Sequence, residues 1–176
     1  INEGNFNIAT VTTSHLGDLG EVHLHTAKDV QPRALPCRTV PIALRERVKQ
    51  ELDRLVSLHV IEPVDKPTDW VSQMAVVEKP NGSLRICIDP QPLNVALKRE
   101  HFKLPTFDEA IPQLTNAKVF SRLDVESAFW HVKLDDESSD LTTMITPFGR
   151  YRWKRLPFGL KVSSEVFQKR LVQALE

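Results

Sequence analysis

Residues 118–134 read KVFSRLDVESAFWHVKL. Val119 and Phe120 open an apolar run, Leu123 and Val125 flank Asp124, and Val132 and Leu134 resume a period of two. That pattern predicts a strand, a short turn and a second strand. Asp124 falls where the first strand runs out, between two apolar neighbours. Desolvating a carboxylate costs several kcal/mol unless it is paired or bound to a metal. Three placements are therefore open: an exposed strand end, a partnered ion, or a ligand.

Working outward, the regions on either side are built from hairpins and helices. Ile42–His59 carries Leu44, Val48, Leu52, Leu55 and Val56 on one stripe, with charges elsewhere, and predicts an amphipathic helix. Trp70–Lys79 reads as a strand, and Pro80-Asn81-Gly82 predicts a hairpin because Asn-Gly accepts positive φ at low cost. On the return strand Leu84, Ile86 and Ile88 alternate with Arg85, Cys87 and Asp89. Lys79 and Arg85 thus flank one hairpin tip, either as solvated cations or as a pair able to grip phosphate.

Pro92–Lys98 predicts a short helix, and Thr106-x-x-Glu109 a capping box before another, shortened by Pro112. Asp135, Asp136, Glu137 and Asp140 read as a solvated acidic turn. Leu141–Thr146 and Tyr151–Leu156 are β-prone, joined by Pro147-Phe148-Gly149. Pro157-Phe158-Gly159 makes a second tight turn, and Ser163 is a good cap for a final helix. Glu21–Thr26 predicts a short strand, Val30–Pro41 with its three prolines an extended run, and residues 1–20 a flexible lead-in. Hairpins and helices in separate runs predict an α+β fold with a mostly antiparallel sheet and packed helices.

Composition narrows the function classes. The chain has 176 residues, 41% hydrophobic and 26% charged, so a folded core is expected. Its net charge of +0 gives no global field for nucleic acid, but Arg150, Arg152, Lys154, Arg155, Lys161, Lys169 and Arg170 concentrate bases near the C-terminus. Such a stripe either binds phosphates or is an ordinary solvated face. Cys37 and Cys87 form no close pair and suggest reduced thiols in an intracellular setting. His23 and His25 share a strand face without further zinc ligands nearby and read as surface residues. No apolar run approaches a membrane span. The absence of an initial Met and the helical pattern at Glu176 suggest cut ends.

Five stretches, in order, carry a family resemblance: VPIALRERVKQELDRL (40–55), PTDWVSQMAVVEKPNGSLRICIDPQPLN (67–94), HFKLPT (101–106), VFSRLDVESAFWHVKL (119–134) and LTTMITPFGRYRWKRLPFGLKVSSEVFQ (141–168). Over residues 21–176 the chain resembles the reverse transcriptase of gypsy-type LTR retrotransposon Pol polyproteins. The resemblance implies the fingers and partial palm of a right-handed polymerase, truncated before the Tyr-x-Asp-Asp hairpin. It implies that Asp124 and the carbonyl of Val125 hold metal, Mg²⁺ or Mn²⁺ in the full-length parent. It places Arg85 and Lys79 on the incoming triphosphate and Phe129 under the sugar, excluding a ribose 2′-hydroxyl. Leu156, Pro157, Phe158 and Gly159 would support the nascent pair and template. Such polymerases use two ions about 3.5–4 Å apart, and Mg²⁺ takes hard oxygens with few protein ligands.

The implied partners are an RNA or DNA template-primer, dNTPs and the rest of the polyprotein: protease, ribonuclease H and integrase. The implied location is intracellular, in cytoplasm, virus-like particles or nucleus, without a membrane partner. The departures are specific. No Tyr-x-Asp-Asp occurs, the one tyrosine being Tyr151 before Arg152. Two of three metal carboxylates, the thumb and the ribonuclease H region are missing, so the fragment alone is expected to be inactive. Phe158 stands where retroviral enzymes carry Gln, as is common in the gypsy type, and Ser163-Ser164 replaces a small residue plus Pro. The alternative reading is a non-catalytic nucleic-acid or protein-binding remnant of a domesticated retroelement.

Overall fold

The computed structural model describes residues 16–103, 106–115, 118, 119 and 124–175. Its centre is a five-stranded sheet formed by β2 (Ile61–Pro63), β3 (Ser72–Glu78), β4 (Leu84–Asp89), β6 (Met144–Thr146) and β7 (Gly149–Trp153), in the order β2-β7-β6-β3-β4. All neighbours run antiparallel except β3 and β6, where Ser72 pairs with Met144. A separate two-stranded ribbon joins β1 (Glu21–Val22) in parallel to β5 (Lys133–Leu134).

The long helix α1 (Ile42–Ser57) buries Val48, Leu52 and Leu55 completely, as its apolar stripe predicts. It packs against β2 and β4, where Ile61, Ile86 and Ile88 supply the facing surface. Removing a buried leucine such as Leu52 would cost about 2–5 kcal/mol through lost transfer energy and the cavity left behind. The β3–β4 hairpin turns as expected. Gly82 adopts φ +80°, the Lys79 carbonyl accepts the Gly82 N–H at 2.8 Å, and Asn81 Oδ1 accepts the Ser83 N–H at 3.0 Å. Its register sets Val77 opposite Arg85.

Beyond the hairpin lie α2 (Gln91–Ala96) and α3 (Phe107–Leu114). The Glu109 carboxylate accepts the Thr106 N–H at 2.9 Å, completing the anticipated capping box. The strand expected to lead into Asp124 falls on 120–123, outside the described residues. The expected turn is present, but the second strand is shorter than its pattern predicts. Ala128–His131 is a 3-10 turn, and only Lys133–Leu134 is strand. Trp130, Val132 and Leu134 are all buried.

The acidic run is a correction as well. Asp136–Leu141 is a helix, α4, and Asp135 is its cap, accepting the Ser138 N–H at 2.8 Å. Acids in a first turn also suit the helix dipole. The helix buries its small polar face. Ser139 Oγ donates to the Trp153 carbonyl, Ser138 Oγ accepts the Leu24 N–H, and Thr142 Oγ1 donates to the Ser139 carbonyl. The final helix, α5 (Ser163–Leu175), starts at the expected residue, but Ser163 lies inside it and is buried. Its hydroxyl donates to the Pro157 carbonyl at 2.8 Å rather than capping. The lead-in expected over 1–20 lies outside the described residues as far as position 15, while Gly17 and Leu19 are hydrogen-bonded to His131. No described helix is long and apolar enough to cross a membrane.

Candidate active site

A cleft of about 320 Å³ opens where three elements of distant sequence meet. Glu51 and Arg54 come from α1, Lys79, Leu84 and Arg85 from the β3–β4 hairpin, and Asp124 to Ala128 from the loop before the 3-10 turn and its first residue. Trp130 and Phe158 complete the lining. The structure thus brings together Asp124, Val125, Lys79, Arg85 and Phe158 on one concave surface. Asp124 and Val125 are exposed, as a strand-end carboxylate would be. No described carboxylate forms an ion pair with Lys79 or Arg85. The Arg85 guanidinium instead lies 4.9 Å from the centre of the Phe158 ring, a cation–π contact.

Arg54 is held differently. Its Nε and Nη2 donate to the two Glu51 oxygens at 2.8 and 2.7 Å, and its guanidinium carbon stands 5.9 Å from the Trp130 ring centre. The Glu51 carboxylate raises the Arg54 pKa, outweighing burial. One cation at the cleft wall is therefore neutralised, while two at the hairpin keep their donors for a ligand.

The other anticipated residues lie behind this surface. Phe129 is half-buried and packs on Phe158 at 4.8 Å and on Phe167 at 5.8 Å. Leu156 is fully buried and Pro157 is buried, and neither lines the cleft. Gly159 is the turn's constraint. Its φ is +117°, and a Cβ there would run into the Ile88 carbonyl oxygen. The Phe158 carbonyl accepts the Ile88 N–H at 3.2 Å, and Asn94 clasps the turn by donating to the Gly159 carbonyl and accepting the Lys161 N–H. The Leu156–Gly159 turn is thereby fixed to β4, the strand that carries Arg85.

Sequence reading did not single out Glu51, Arg54, Glu126, Trp130 or Asn94. Glu51 and Arg54 looked like the solvated face of α1, and Asn94 like an ordinary helix residue. Ser127 carried no signal either, yet it holds φ +51°, a left-handed conformation that costs a non-glycine residue on the order of 1 kcal/mol.

The basic C-terminal segment is not a free stripe. Arg152 pairs with Glu62, Asp136 and Asp140, Lys154 with Asp136, and Lys169 with Glu100. Arg150 donates to the Asp65 and Lys66 carbonyls, Arg155 to those of Gly17 and Trp130, and Arg170 to that of Glu21. Its phosphate-binding reading loses those donors.

The donor chemistry can be tested against a divalent ion. Among the described residues no three His, Cys, Asp or Glu side chains converge as a metal-binding set. Mg²⁺ nevertheless commonly takes one or two carboxylates, with water and substrate phosphate filling the octahedron. An exposed Asp124 beside an exposed Val125 fits one such ligand position and falls short of a two-ion site.

Comparison with known proteins bears on the family and the fold. The reverse transcriptase (RNA-dependent DNA polymerase) family matches residues 77–176. The enzymatic polyprotein of cauliflower mosaic virus (strain Strasbourg) is 33% identical over 132 residues, covering 74% of this chain and 19% of the polyprotein. The retrovirus-related Pol polyprotein from transposon 412 of Drosophila melanogaster is 33% identical over 153 residues, covering 84% of the chain and 12% of the polyprotein. The chain thus spans a fifth or less of these relatives. Crystals of the prototype foamy virus protease-reverse transcriptase (a selenomethionine-labelled CSH mutant) share the fold with TM-score 0.69 and 22% identity, over 86% of this chain and 20% of that one. The foamy viral enzyme in complex with RNA/DNA hybrid gives TM-score 0.66 and 19% identity, over 86% and 21%. By sequence and by architecture, then, the chain belongs to the reverse transcriptase (RNA-dependent DNA polymerase) family, and its α+β fold is that of the fingers and palm.

Proposed function

We propose that residues 21–176 are the fingers and partial palm of a gypsy-type retrotransposon polymerase, following a lead-in over 1–20. In the longer polypeptide they serve template-directed addition of dNTPs to a primer on RNA or DNA. The observation that carries this reading is the single cleft whose lining gathers Asp124, Val125, Lys79 and Arg85. Carboxylate and carbonyl oxygens there suit Mg²⁺ or Mn²⁺, and two cations without a described carboxylate partner suit the phosphates such an ion accompanies.

Asp124 and the Val125 carbonyl would hold the metal, which when bound activates a 3′-hydroxyl and stabilises the pyrophosphate leaving group. Arg85 grips phosphate with its forked donors, kept in plane by the Phe158 ring, and Lys79 adds a point charge. Phe129, wedged against Phe158 and Phe167, sets the depth of the sugar pocket so that a 2′-hydroxyl finds no room. The Leu156–Gly159 turn carries the nascent pair. Protease, ribonuclease H and integrase belong to the same polyprotein, which works in cytoplasm, virus-like particles or nucleus. The 176-residue chain alone extends no primer, because it supplies one of the three carboxylates required.

The test is Asp124→Asn in the complete polymerase. Losing a metal ligand forfeits several kcal/mol of charge stabilisation, so at about 1.4 kcal/mol per tenfold extension should drop roughly a thousandfold. Template binding should hold within about threefold. Extension that survives in Asp124→Asn, or templated extension by the 176-residue chain itself, would refute the reading.

A further inference from the structure

His131 lies outside the cleft, but both of its ring nitrogens are engaged. The Gly17 backbone N–H donates to Nδ1 at 2.8 Å, so Nδ1 accepts. Nε2 lies 3.0 Å from the Glu126 carbonyl oxygen, which can only accept, so Nε2 carries the proton. The two contacts together define one neutral tautomer. They also join two segments far apart in sequence: the strand-like strap over 16–22 and the loop that follows Asp124 and Val125.

The strap end of this link is firmly anchored. The Leu19 N–H donates to the His131 carbonyl at 2.7 Å, Lys133 Nζ to Asp18 at 2.6 Å, and Arg155 Nη1 to the Gly17 carbonyl at 3.1 Å. A Cβ at Gly17 would stand 2.5 Å from His131 Nδ1, so the ring's approach needs glycine there. The loop end is where stiffness matters. The Glu126 carbonyl belongs to the peptide that enters Ser127, whose φ is +51°. Holding that oxygen fixes the peptide plane and with it the left-handed turn that presents Asp124 to the cleft.

We propose that His131 is a positioning residue, a tie that transmits the docked strap over 16–22 to the loop bearing Asp124. Its catalytic consequence rests on the metal reading of Asp124 given above; the tie itself does not. The side-chain amides of Asn and Gln separate its two halves. Asn places an acceptor near the position of Nδ1 and no donor near Nε2, while Gln places a donor near Nε2 and no acceptor near Nδ1.

The experiment uses the full 176-residue chain. Long-range ¹H–¹⁵N spectra of the wild type should show His131 in the Nε2–H form. Amide exchange at Trp130, bonded to the Ser127 carbonyl at 2.8 Å, reports the loop, and exchange at Gly17 reports the strap. In His131→Asn exchange should rise roughly tenfold at Trp130 and hold at Gly17, and in His131→Gln the pattern should reverse, each change being the worth of about one net hydrogen bond. A wild-type Nδ1–H tautomer, or variants that loosen both segments alike, would overturn the tie; the tautomer readout stands even if a variant fails to fold. Mn²⁺ broadening of the Val125 amide, read in the same samples, should need about tenfold more metal in His131→Asn than in His131→Gln. If the wild type shows no broadening, the metal reading of Asp124 falls, while tautomer and exchange still decide the tie.

Discussion

Arg152 and Arg85 stand on separate strands of one sheet, β7 and β4, and their guanidinium groups are used in different ways. Arg152 on β7 is mostly buried and reaches three carboxylates, from β2 and from α4. Burial alone would lower its pKa, but hydrogen bonds to Asp140 and Glu62 outweigh that and raise it. Arg85 on the edge strand β4 has no described carboxylate partner and lies over an aromatic ring beside a cleft. A cation's count in the sequence therefore says little about what it can bind. Most of the bases after Leu141 are engaged with other parts of the chain, Arg152 and Lys154 with α4, while the two bases at the hairpin tip have no described carboxylate partner.

The comparison breaks first at Arg152. Replacing it with Met strands Glu62 and leaves Asp140 with Lys66 as its cation, both carboxylates being partly exposed, at a cost of about 1–2 kcal/mol. Urea unfolding of the chain measures this, and an unchanged midpoint would mean that the network is ornamental. A second test uses acid. Burial would raise Asp140, but the Lys66 and Arg152 hydrogen bonds hold it below the usual carboxylate range. Its stabilising contribution is therefore complete above the unfolded value of about 3.9 and is lost as pH falls through the lower folded value. Because Asp140 is largely solvent-screened, the loss should stay under about 1 kcal/mol. Unfolding curves at neutral pH, pH 4 and below pH 3 follow it, and Arg152→Met should flatten that dependence. The smallest stability effect is expected at Arg85. Arg85→Ala removes one exposed cation–π contact, about 0.5–1 kcal/mol at most, yet in the complete polymerase it should weaken dNTP use more than template binding. If Arg85→Ala destabilises as much as Arg152→Met, the contrast between the two regions fails.

Much of this was legible from the residues. The α1 stripe of Val48, Leu52 and Leu55 repeats at helical spacing, the Asn81-Gly82 turn dictates its hairpin, and Leu84, Ile86 and Ile88 alternate as a half-buried strand must. Asp124 with the hairpin cations was legible too, through local pattern and family likeness. What was hidden depends on partners far along the chain. Nothing near Arg152 announces Glu62, which lies 90 positions away. Ser138 and Ser139 look like turn residues until Leu24 and Trp153 supply their hydrogen bonds, and with those the acidic run becomes a packed helix. A turn before the second strand was legible, but its 3-10 form over Ala128–His131 was not, because an apolar run permits strand and 3-10 turn alike.

The parallel pairing of β1 with β5 has a consequence for biosynthesis. His23 and Asp135, which seal the end of that ribbon, lie 112 positions apart. A ribosome adding about 5–20 residues per second leaves the earlier strand waiting on the order of ten seconds for its mate. Until then the hydrogen-bonding edge of Glu21 and Val22 is unpaired by β5, and a strand edge left open in this way is exposed to wrong pairing.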